Sequence, residues 1–224
     1  MKFVRVTQLS DGAGALQARL ARDLQAGKQV LWLLSGGSNV ALAVSVMDGL
    51  GDTPTTNLTA VLMDERYGPV GHSDSNDAKL AAAGFSARQG RWIHVLQAEL
   101  SPEDTCKLFA NEVSAAFKRA DVIIGQFGMG SDGHTAGILP GSAAARSADF
   151  ATSYQGPDFA RITLTCKALA GVTAGYLFAS GADKRAQLEI LQNDELGTDI
   201  QPAQILKQLP EAYVYNDQIG EIAV

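Results

Sequence analysis

Runs of positive charge are missing from this chain, and so are long apolar stretches. Lys and Arg supply 18 of 224 residues, in no run longer than two, against 24 Asp and Glu, for a formal net charge of -6. Such a surface has nothing with which to follow a nucleic-acid backbone or an anionic bilayer, so neither partner is expected. No segment approaches the ~20 apolar residues that a membrane helix needs. Cysteine is scarce: Cys106 and Cys166 are far apart and lack metal-ligand spacing, which points to reduced thiols and no metal site. Met1 to Val6 alternates like a strand and has no long apolar core of a secretion signal, so a cytoplasmic protein is expected. The chain has no Gly-x-Ser-x-Gly elbow, which argues against a nucleophilic serine. It also has no internal repeat, low-complexity tract or long linker, and one domain over residues 1–224 is expected, as a monomer or a homodimer.

What is present is an alternation of apolar runs and amphipathic stretches. Hydrophobic residues make up 46% and charged residues 19%, ordinary for a globular enzyme. Leu16, Leu20 and Leu24 recur every four residues, predicting a helix over 11–26 closed by Gly27. Val30 to Leu34 is wholly apolar, the mark of a strand buried on both faces. The cycle continues with a helix from Asn39 to Leu50, a strand from Leu58 to Met63, a polar loop from Asp64 to Asn76 and a helix over 77–83. A strand from Trp92 to Val95 is followed by a helix that starts after Ser101 with Pro102 at its first position. Strands at Val122 to Gln126, Arg161 to Thr165, Gly175 to Ala179 and Ala212 to Tyr215 complete the pattern, with helices at 182–192 and 202–208. Strands alternating with helices predict an α/β fold, an open and mainly parallel sheet with helices on both faces. Ligands in such folds sit beyond the carboxyl ends of the strands.

Three loops at strand carboxyl ends carry chemistry. Ser35-Gly36-Gly37-Ser38, before a helix, offers free backbone N–H groups suited to a phosphate. Asp64-Glu65-Arg66 opens a loop that ends at Asn76. Arg66 is a fork of donors for phosphate or carboxylate, and Asp64 and Asn76 can bind sugar hydroxyls. The third loop, Gly128 to Ser142, contains Asp132-Gly133-His134. His134 can take a proton near neutral pH, and Asp132 can orient its ring. The backbone N–H groups of the turn from Gly128 through Gly130 to Gly133 are candidate donors to an oxyanion. The same glycines spell G-x-G-x-x-G, but a dinucleotide site needs a helix at the third glycine, and Gly137 and Pro140 stop one. His72 reads as a mid-loop residue and His94 as part of a short strand.

In order and spacing these motifs resemble the 6-phosphogluconolactonase family. They are Ser-Gly-Gly-Ser, Asp64-Glu65-Arg66 with Ser75-Asn76, and Gly128-x-Gly130-x-Asp132-Gly133-His134-Thr135-Ala136 with Pro140-Gly141. The resemblance continues through Arg161-Ile162-Thr163-Leu164-Thr165 and Gly181-x-x-Lys184. It implies the Rossmann-like fold shared with the glucosamine-6-phosphate deaminases and hydrolysis of 6-phospho-D-glucono-1,5-lactone, without metal or cofactor. It further implies His134 as general base and a phosphate held by Gly36, Gly37, Ser38, Arg66 and Lys184, aided by Arg161. Deaminases typically continue Ile-Ala-Phe-Asn-Glu-Pro after the His and have no Arg after Asp-Glu, so Thr135 to Pro140 and Arg66 favour the lactonase. The alternatives are a deaminase or isomerase of an amino-sugar phosphate and a non-catalytic sugar-phosphate sensor. Ser131, Gly68-Pro69 and Ser153-Tyr154-Gln155-Gly156-Pro157, which lacks a Lys, depart from the family pattern.

Overall fold

Strands and helices alternate through the computed structural model, which describes residues 1–97 and 100–222. In chain order they are β1 (Lys2–Arg5), α1 (Leu9–Gln25), β2 (Val30–Leu34), α2 (Val40–Gly49), β3 (Leu58–Leu62), β4 (Asp64–Arg66), α3 (Asn76–Ala82), β5 (Arg91–Ile93), α4 (Pro102–Arg119) and β6 (Val122–Gly128). There follow β7 (Ala151–Gln155), β8 (Ala160–Leu164), α5 (Cys166–Leu169), β9 (Ala174–Ala179), α6 (Arg185–Asn193), β10 (Glu211–Asn216) and β11 (Glu221–Ile222). No helix among the described residues is long and apolar enough to cross a membrane.

All five residues of β2 are buried, as a central strand of a doubly covered sheet requires. The eight-stranded sheet runs β11-β1-β10-β9-β6-β2-β3-β5, and every neighbouring pair is parallel. Trp32, Phe109, Phe127 and Phe178 are the bulkiest fully buried side chains. From β2 the winding passes to β3, and from the adjacent β6 it passes to β9 on the other side. The order therefore reverses between β2 and β6, and the crevice above their carboxyl ends is where a ligand belongs.

The structure corrects the sequence reading in one important respect. Asp64 to Arg66 is a strand and not the start of a loop. It pairs antiparallel with β8, which pairs with β7, in a separate three-stranded sheet packed against α4. Met63 joins the two sheets: its N–H donates to the Leu34 carbonyl at 2.8 Å, and its own carbonyl accepts from Leu164 N–H at 2.9 Å. Three polar residues such as Asp64-Glu65-Arg66 carry no strand signal, because their pairing is dictated by a partner far along the chain. Smaller differences concern Cys166, which opens α5, and His94, which lies just beyond β5.

Candidate active site

At the β2/β6 crevice lies a cavity of about 190 Å³. Gly36, Gly37, Ser38, Asp64, Arg66, Asn76, Gly130, His134, Arg161 and Lys184, all named from the sequence, line it. Asp132 does not; it reaches the cavity only through His134. Of the other histidines, His72 donates Nε2–H to the Arg66 carbonyl at 3.0 Å, and His94 pairs with Asp77 at 2.5 Å, away from this cavity.

The β2 loop earns its glycines. A Cβ on Gly36 would strike the Asn76 amide, and Gly37 has φ +62. Among the described residues nothing accepts from the backbone N–H groups of Gly36, Gly37 or Ser38. Such unpaired donors are usual at the first turn of a helix, and the three residues line the cavity.

On the opposite wall, β4 and β8 place Arg66 directly across from Arg161. Both guanidinium groups lie over the Phe159 ring, 5.6 and 5.9 Å from its centroid. Arg66 Nη1 donates to the Asp74 carbonyl at 2.9 Å and Arg161 Nη2 to Asp158 at 2.7 Å, while the Nε of each is buried without a partner. Like charges directly opposite in a sheet repel; Asp158 offsets Arg161, whereas Arg66 has no carboxylate in ion-pair range among the described residues. Lys184, from the 3₁₀ turn Ala182–Lys184, adds a third cation, its Nζ 3.4 Å from Asp183.

Between these walls sits Asp64, 6% exposed, whose carboxylate accepts no hydrogen bond among the described residues. Burial pushes its carboxyl up, against the pull of Arg66, Arg161 and His134. A carboxyl raised on folding binds its proton more tightly in the folded state, so its charge costs stability above the raised value. That cost disappears as pH falls through it and below the unfolded value. Asp64→Asn should therefore raise Tm at pH 7 to 8, and the gain should vanish towards pH 4. Thermal unfolding of both proteins across that range is the check; a lower Tm for the variant at neutral pH would refute it. Glu65, next in sequence, points the other way: it caps α3, accepting from the Asn76 and Asp77 N–H groups at 2.7 and 2.8 Å and from Ser75 Oγ at 2.9 Å. Burial raises its carboxyl too, opposed by those donors.

The third loop holds His134 by its partner. Nδ1–H donates to Asp132 Oδ1 at 2.7 Å, and the His134 backbone N–H donates to the same oxygen at 3.1 Å. Partial burial works to raise the Asp132 carboxyl, but these His134 contacts outweigh it and hold it low. The tautomer is thereby fixed and Nε2 is left with no partner among the described residues. Gly130 lies flat against the imidazole, and a Cβ there would collide with Nδ1. Gly133, φ +83, is backed by Gln187 and Gln201. Further along, Ala136 has φ +50, an uncommon strain for a residue with a Cβ, and Gly137 passes Asp64 so closely that a Cβ would come within 2.6 Å.

Three N–H groups of the turn expected to supply oxyanion donors are already engaged. Gly130 N–H donates to the His134 carbonyl at 2.9 Å, Gly133 N–H to the Gly130 carbonyl at 3.0 Å, and Gly128 N–H to Ser35 Oγ at 3.3 Å. The N–H groups of Gly130 and Gly133 are spent inside the turn and that of Gly128 on the loop after β2, while Met129 between them lines the cavity. Two residues at the site escaped sequence reasoning. Tyr154 donates its hydroxyl to the Gly137 carbonyl at 2.6 Å, pinning the third loop to β7. Asn39, before α2, lines the cavity.

Residues 7–214 match the family described as glucosamine-6-phosphate isomerases/6-phosphogluconolactonase. The chain belongs to this family. A relative from Pseudomonas aeruginosa, named 6-phosphogluconolactonase, is 31% identical over 191 residues, covering 79% of this chain and 75% of that protein. One of the same name from Pseudomonas putida is 33% identical over 151 residues, 62% of this chain; the match spans 60% of that relative's length. The fold agrees with family members of known structure. A 6-phosphogluconolactonase from Shewanella baltica superposes with a TM-score of 0.81 at 20% identity, covering 96% of this chain and 97% of that one. One from Thermotoga maritima gives 0.79 at 20% identity, covering 96% and 99%.

Proposed function

We propose that this chain is a single-domain cytoplasmic enzyme that hydrolyses 6-phospho-D-glucono-1,5-lactone to 6-phospho-D-gluconate without a metal ion. The observation that carries this reading is the juxtaposition, in one cavity, of the opposed Arg66 and Arg161 with a His134 whose Nε2 has no partner among the described residues. The first pair suits a dianionic phosphate, and the second suits removal of a proton from water. The names of the relatives point to the same substrate.

In this reading the phosphate sits on Arg66, Arg161, Lys184 and the N–H groups of Gly36, Gly37 and Ser38. Asp64 and Asn76 meet the sugar hydroxyls. Water attacks C1 as His134 Nε2 takes its proton, and the carbonyl electrons move onto oxygen. The tetrahedral intermediate then collapses, the bond from C1 to the ring oxygen breaks, and His134 returns the proton to that oxygen. Asp132, kept ionised, stabilises the imidazolium.

Lactone generated from glucose 6-phosphate in a coupled assay should disappear well above its spontaneous rate when the protein is added. An unchanged rate, with ammonia released from glucosamine 6-phosphate, would install the deaminase reading instead. Chelator treatment should leave kcat within about twofold. No three His, Cys, Asp or Glu side chains gather as a metal-binding set among the described residues. Loss of activity on chelation, restored by a divalent cation, would overturn the metal-free reading.

A further inference from the structure

Attack on a lactone carbonyl leaves a negative oxygen that needs a preorganised donor. The N–H groups of Gly128, Gly130 and Gly133 are already bonded within the protein, which leaves room for a side-chain donor. We infer that it is the side-chain amide of Asn39, an inference that rests on the lactonase reading.

Asn39 is 1% exposed and lines the cavity. Its backbone is well fixed: the N–H donates to the Gly36 carbonyl at 3.3 Å and the carbonyl accepts from Gln126 Nε2 at 3.0 Å. The side chain, by contrast, has no structural task. It makes no capping bond to α2, its Oδ1 is buried without a donor, and Nδ2 has no acceptor among the described residues. A buried amide left unpaired is costly, so its retention calls for a ligand.

The position of the amide fits the task. Nδ2 lies against Gly128, where a Cβ would come within 2.5 Å of it, and His134 Nδ1 lies in the same relation to Gly130. Asn39 and His134 thus line the same cavity, one beside Gly128 and the other beside Gly130. The water oxygen bonds to C1 while its proton passes to His134 Nε2. The carbonyl π electrons move to the exocyclic oxygen, which accepts from Asn39 Nδ2–H. When C1 sheds the ring oxygen, the carbonyl re-forms and the Asn39 bond relaxes.

Asn39→Asp keeps the shape and removes the donor; Asn39→Ala removes the group. Each should lower kcat about 10²- to 10³-fold with KM within about threefold, because the bond strengthens only in the transition state. Gly128→Ala, whose methyl would displace Nδ2 without altering residue 39, should show the same split. Circular dichroism identifies the folded variants, and if neither Asn39 variant folds, Gly128→Ala decides. A near wild-type kcat in the folded variants, or a raised KM at unchanged kcat, overturns the Asn39 assignment and leaves the lactonase reading standing. A wild-type protein with no lactonase activity overturns both.

Discussion

Replacing His134 by Asn should lower kcat for lactone hydrolysis by two to four orders of magnitude, the usual worth of a positioned general base. Asn at this position can still meet Asp132, so the turn keeps its shape while the proton acceptor is lost. The expected signature is a fall in kcat and kcat/KM together, with little change in KM, since the phosphate grip lies on other elements. Measurement requires subtraction of the spontaneous rate, which sets the floor for a slow variant. Turnover within a few-fold of wild type would remove His134 from the reaction and leave the water to another group.

The opposite signature is expected at Arg66. Its guanidinium is opposed by Arg161 and stacked on Phe159, and unlike Arg161, which pairs with Asp158, it has no carboxylate partner among the described residues. A charge-assisted hydrogen bond is worth about 1.5–3 kcal/mol, and Arg66→Gln should therefore raise KM roughly 10- to 150-fold with kcat little changed. Inorganic phosphate supplies an independent readout. It should raise the Tm of the wild type, because anything that binds only the folded state stabilises it, and it should do so less in the variant. Wild-type KM together with an undiminished phosphate effect would place the anion elsewhere in the cavity.

The legibility of this molecule in its sequence tracks how local each signal is. Val30 to Leu34 was readable to the residue because a strand covered on both faces is apolar throughout, and the 3₁₀ stretch 202–208 was readable because Pro202 opens it. The second sheet was not readable in full. Arg161 to Leu164 carries a strand pattern, but Asp64-Glu65-Arg66 becomes a strand only by pairing with it, and Ala151 to Gln155 is half polar and lies on its other side. The loops announced themselves through glycine, since tight approach of backbone to side chain leaves no alternative at Gly36 or Gly130. Asn39 announced nothing. Its unpaired amide acquires meaning only beside Gly128, a neighbour created by the parallel pairing of β2 with β6.

The double attachment of Met63 has a mechanical consequence. One residue is pinned through its N–H to the large sheet and through its carbonyl to the small one, so the two walls of the cleft share a rivet where a hinge would otherwise sit. The span between the glycine loop after β2 and the arginine pair on β4 and β8 is then a fixed gauge. In the proposed reading both sides of that gauge grip the phosphate, so it would set the size of the anionic group the cleft accepts.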